Sequence, residues 1–90
     1  MSDEKTPREV EQLQRHAQEM LDVYTQREKF TFRLIVAKEY IQQEGWLHIL
    51  VRPDREGVRL HEYAEALVAV DQKFYREEHV ENVLLLPESV

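Results

Sequence analysis

The spacing of apolar residues changes once, near residue 30, and that change restricts the chain to folds that combine helix with sheet. Before it, Val10, Leu13, Ala17, Met20, Leu21 and Tyr24 recur at intervals of three and four. They form one stripe of a helix, with Glu9, Glu11, Gln14, Gln18 and Asp22 pointing away. Thr6 is a suitable N-cap and Pro7 fits a first helical turn, so a helix is predicted over about 7–26. After it, Phe30, Phe32, Leu34 and Val36 alternate with Thr31, Arg33, Ile35 and Ala37, and the β-branched and aromatic content is that of a strand.

A second strand, residues 46–52, follows Gln43-Glu44-Gly45, whose glycine takes the left-handed conformation that a short hairpin loop needs. Pro53, Asp54 and Gly57 mark the end of that ribbon. Leu60, Tyr63, Ala64, Leu67, Val68, Val70, Phe74 and Tyr75 then return to helical spacing as far as about Glu78, with Asp54 or the Glu56-Gly57 pair as candidate starts. The run 80–86, closed by Pro87, is too brief for another helix and reads as a third strand.

The predicted fold is α+β, a single small domain over 7–87 with element order α-β-β-α-β, a disordered N-terminal tail at 1–6 and a C-terminal tail at 88–90. The strand-helix-strand crossover sets the third strand parallel to the second. Placed beside the first strand, it gives a three-stranded mixed sheet of order 2-1-3 packed by two helices.

Ninety residues enclose one core, and 42% hydrophobic with 33% charged residues is too apolar a mixture for a chain that stays unfolded. The absence of cysteine excludes disulfides and thiolate metal sites and fits a reducing compartment. The N-terminus is polar, without a signal-peptide core, and no apolar run approaches the roughly 18 residues of a membrane span. The expected location is the cytoplasm, with no membrane partner. A net charge of −6 disfavours non-specific attraction to nucleic acid.

With the hairpin loop centred on 43–45, one sheet face collects Phe30, Phe32, Leu34, Val36, Tyr40, Trp46, His48 and Leu50. The other collects Ile35, Ala37, Ile41, Leu47, Ile49 and Val51, and neither has the polar alternation of a solvated face. The second helix covers one face; the other falls to the first helix, to a second copy of the chain or to a protein partner. Phe30, Phe32, Trp46 and His48 are therefore the candidate interface, and the expected partner is a homo-oligomer or another protein.

Arg52, Arg55 and Arg59 flank the predicted start of the second helix, where free N–H groups favour an anion, and form the candidate anion or partner contact. Asp54 and Glu56 lie between them, and there is no glycine-rich phosphate loop. Asp71 falls among Leu67, Phe74 and Tyr75 on the apolar stripe, where a carboxylate needs a partner; Arg33, Lys38, His48 and a tyrosine hydroxyl are the expected ones. His61-Glu62-Tyr63-Ala64-Glu65 resembles half of an H-E-x-x-H zinc motif with Glu65 in place of the second histidine, on the polar side of the helix, and reads as a solvated face. No catalytic, cofactor-binding or metal-ligating residue is assigned, and no cofactor is expected.

These features point to a non-enzymatic interaction or regulatory module that self-associates. One alternative is a nucleic-acid-binding module using Arg33, Arg52, Arg55 and Arg59 with Trp46 as a stacking residue. A second is a small enzyme or ligand-binding subunit using Asp71 and His48.

Overall fold

The computed structural model describes residues 5–88. Helix α1, Pro7–Arg27, begins with a capping box: the Thr6 hydroxyl accepts the Glu9 N–H, and the Glu9 carboxylate accepts the Thr6 N–H. It ends in a Schellman turn. Lys29 takes a φ of 57°, the Phe30 N–H donates to the Thr25 carbonyl at 2.9 Å, and the Lys29 N–H donates to Gln26 at 3.2 Å.

That turn delays strand β1 to Leu34–Gln43, four residues beyond the predicted start. Phe30 and Phe32 lie in the connection and pack on the helical side of the sheet. Phe30 meets Tyr24 at 5.8 Å and Phe32 at 5.0 Å, and Phe32 meets Tyr63 at 6.5 Å between ring centres. Tyr63 is only 6% exposed. Its φ of −134° interrupts the predicted second helix, whose candidate starts at Asp54 or Glu56-Gly57 give way to a 3-10 turn at Leu60–Glu62 and helix α2 at Ala64–Arg76.

Strand β1 pairs antiparallel with β2, Trp46–Pro53, around the two-residue turn Glu44-Gly45, whose φ values of 54° and 81° suit a tight hairpin. Strand β3, Val83–Pro87, pairs parallel to β2, with Leu47 opposite Val83 and Ile49 opposite Leu85. The result is an α+β domain with a three-stranded mixed sheet of order β1-β2-β3, and the expected order 2-1-3 is corrected. The 13-residue α2, about 20 Å long, returns the chain beside the strand it left. The free edge of β1 is a poor place for another strand. Between Val36 and Tyr40 it bulges, setting Ala37, Lys38 and Glu39 against the single residue Leu50.

The hairpin register also corrects the predicted faces. A loop of two residues instead of three shifts the pairing by one, placing Val36 opposite Val51 and Leu34 opposite Pro53. Leu34 therefore joins Leu47, Ile49, Val51, Val83 and Leu85 on one sheet face. Against it pack Val10, Ala17, Met20 and Leu21 of α1 together with Ala66, Leu67, Val70 and Phe74 of α2. Both helices lie on the same face.

Helix side chains meet several backbone groups on the outer edges of the sheet. The Gln18 amide donates to the Leu34 carbonyl and accepts the Val36 N–H, both at 2.8 Å, taking the place of a peptide group in a neighbouring strand. Gln14 donates to the carbonyls of Ala37 at 3.1 Å and Lys38 at 3.3 Å within the bulge. On the far edge, Asp71 accepts the Leu85 N–H at 2.8 Å.

The predicted tails overlap the described residues only in part. Residues 1–4 and 89–90 lie outside them. Lys5 is bound through its N–H and carbonyl to the Gln42 amide at 2.8 and 2.9 Å, and the Glu88 N–H extends the ladder to the Val51 carbonyl at 2.8 Å.

Replacing Gln18 by Ala leaves a strand N–H and a carbonyl without protein partners. It is expected to lower the unfolding free energy in urea by about 2 kcal/mol. Arg15→Ala breaks an exposed ion pair with Glu11 and serves as the control, with a loss of less than about 0.5 kcal/mol.

Candidate functional site

Strand alternation puts half of the sheet's side chains away from the helices. Ile35 stands beside Arg52, Ile41 beside His48, and Gln43 beside Trp46; across the other junction His48 stands beside Leu84 and Leu50 beside Leu86. None of these side chains belongs to the core. Five are aliphatic, and they fill the middle of the face. Trp46, 39% exposed, closes one end and Arg52 the other, while Ile41 is 44% exposed at the margin.

Two broad depressions open on this side and share Ile35, Arg52 and Glu88. One, of about 680 Å³, runs from there along the loop to Val58; the other, of about 560 Å³, reaches Leu50 and the β1 bulge. Within this region Glu88 Oε2 is shut off from solvent with no hydrogen-bond partner among the described residues. A buried acceptor left in that state is costly and calls for a donor.

The structure divides the four residues of the candidate interface. Trp46 and His48 are on the uncovered face, whereas Phe30 and Phe32 pack against the core on the opposite side. Ile35, Ile41, Leu50, Leu84 and Leu86 take their place in the uncovered patch. The sequence signal that identifies them is the Glu44-Gly45 pair, which specifies a two-residue turn and hence the parity of every side chain in the hairpin.

The arginines do not converge on one point. Arg33 is matched to both carboxylate oxygens of Asp22 at 3.2 and 3.3 Å, and Arg55 to Asp54 at 3.3 Å. Arg52 and Arg55 line the larger depression, but Arg59 does not. Arg59 precedes a single 3-10 turn, and its N–H is taken by the Glu62 carboxylate at 2.7 Å. The Arg33 backbone N–H, with Arg55 beside it, holds the Asp54 carboxyl below its ordinary range. An anion entering here would meet Asp54, Glu56 and Glu88 along with the two guanidinium groups.

Asp71 and His48 are separated by the sheet. Asp71 projects from α2, on the covered side, and its partner is the Leu85 backbone N–H in place of the side chains expected from the sequence. Burial pushes its carboxyl up to about 6, against the opposing pull of that N–H, which favours the ionised form. His61 lies in the 3-10 turn and Glu65 in α2, with the break at Tyr63 between them, so the two do not share a continuous helical face. Among the described residues no three histidine, aspartate or glutamate side chains converge as a metal site would require, and no helix is long and apolar enough to cross a membrane.

Comparison with known proteins found no matching family model, no matching curated protein and no matching solved structure.

Because the Asp71 carboxyl is raised in the folded state from an ordinary value of 3.8, its contribution to stability is fully present below about pH 4 and is lost as the pH rises through about 6. Asp71→Asn keeps an oxygen for the Leu85 N–H and removes the titration. The variant is expected to exceed the parent protein in stability at pH 7.5 by about 1–2 kcal/mol, after allowance for solvent screening of a half-buried group. The difference should fall toward zero at pH 4, as read from urea unfolding at the two values.

Proposed function

We propose that this domain is a non-enzymatic interaction module of the cytoplasm that associates with a second copy of itself through the uncovered sheet face. The observation that carries this reading is the placement of both helices on one side of the sheet. Ile35, Ile41, Leu50, Leu84 and Leu86 thereby face away from the helices, with Ile41 exposed and the other four half-buried. A contiguous apolar surface of this kind on a small domain is commonly an interaction site.

The sheet edges narrow the mode of association. With Gln18 and Gln14 on β1 and Asp71 on β3, several of the backbone groups that would recruit another strand are engaged, and the β1 bulge disrupts that edge further. Face-to-face stacking remains, and it buries the same surface on both copies, as a two-fold dimer requires. A patch three strands wide and eight residues long has a footprint of roughly 350 Å², small among protein interfaces, so the association is expected in the micromolar range. The matching of Arg33 and Arg55 by Asp22 and Asp54 counts against nucleic acid as the partner.

Light scattering over about 1 μM to 1 mM is expected to show a monomer passing to a dimer. Leu50→Arg places a charge in the middle of the patch and should hold the protein monomeric at about 1 mM, with unchanged far-UV circular dichroism. A parent protein that remains monomeric throughout that range overturns the reading.

A further inference from the structure

We infer that the two copies stack with their β2 strands running in opposite directions, so that Arg52 of each lies against Trp46 of the other. This arrangement rests on the self-association proposed above and specifies its geometry. Aligned sheets keep their strands within about 30° of one another, which leaves two ways to place a two-fold axis between identical faces.

An axis along the strands brings like ends together. Arg52 then lies over its own counterpart, and because the strand order reverses across the interface, Glu88 at the end of β3 lies over Ile35 of the partner's β1. Two guanidinium groups would repel in a partly dry contact, and a carboxylate side chain would be set against a hydrocarbon.

An axis across the strands brings opposite ends together, with β2 over β2 and β3 over β3. His48 and Leu50 then exchange places at the centre. Arg52, which has no ion-pair partner among the described residues, reaches the exposed indole of Trp46 and gains a cation–π contact at each end. The positions of Arg52 and Trp46 at opposite ends of the face therefore favour this second stack.

The absence of cysteine makes an introduced one unique, which permits spin labelling of Glu81→Cys, at an exposed position just before β3. Pulsed dipolar spectroscopy on the labelled dimer is expected to give a separation of about 30 Å between copies, whereas like ends together would give about 15 Å. Arg52→Met is expected to raise the dimer dissociation constant about fivefold or more through loss of two cation–π contacts; in the other stack it would relieve repulsion and lower that constant. A short label distance, or tighter association of Arg52→Met, overturns the antiparallel stack and leaves self-association standing. A protein that is monomeric by light scattering at every concentration overturns both.

Discussion

The arrangement of this domain depends on how it satisfies the outer edges of a sheet only three strands wide. Each edge strand presents backbone N–H and carbonyl groups that no fourth strand can meet. The Gln18 amide meets one pair on β1, Gln14 spans the carbonyls of the bulge, and the Asp71 carboxylate meets the Leu85 N–H on β3. To reach opposite edges, α1 must lie toward β1 and α2 toward β3, side by side on one face. That placement closes the core between Leu21, Phe74 and Ile49 and leaves the reverse of the sheet without a helix over it.

The same economy explains why a carboxylate occupies the apolar stripe of α2. Asp71 accepts a strand N–H that would otherwise be stranded, and its partial burial makes ionisation harder than in water. A glutamine performs the equivalent task on β1 with no charge to desolvate. The domain thus secures one edge with a neutral group and the other with an ionisable one, and only the second of these contacts gains stability as the pH falls through about 6.

Much of the fold was legible in the residues. Thr6 and Pro7 announced the first helix, the alternation through Leu34 and Val36 announced a strand, and Gly45 announced the turn. Glu9, three residues after Thr6, completes a capping box that was legible in the same residues. What could not be read depended on single-residue geometry. Lys29 in the left-handed region moved Phe30 and Phe32 out of the strand, and a loop shorter by one residue exchanged the faces of the hairpin. Hydrophobicity gave no guidance because both faces are apolar, so either register satisfies the pattern equally well. The strand order was similarly hidden. It turns on the bulge at Ala37–Glu39 and on glutamine side chains of α1 that the helical pattern had marked only as solvent-facing.

The edge contacts also have an order in time. Residues are added to a growing chain from the N-terminus, and each capping side chain precedes the strand it caps: Gln18 comes before β1, and Asp71 comes before β3. When β1 leaves the ribosome, its cover has already been made, and the same holds for the last strand. Only β2 waits with an open edge, until β3 is made and pairs with it. A chain that kept its helices C-terminal to the strands they cover would expose open strand edges during translation, when other nascent chains are close enough to pair with them.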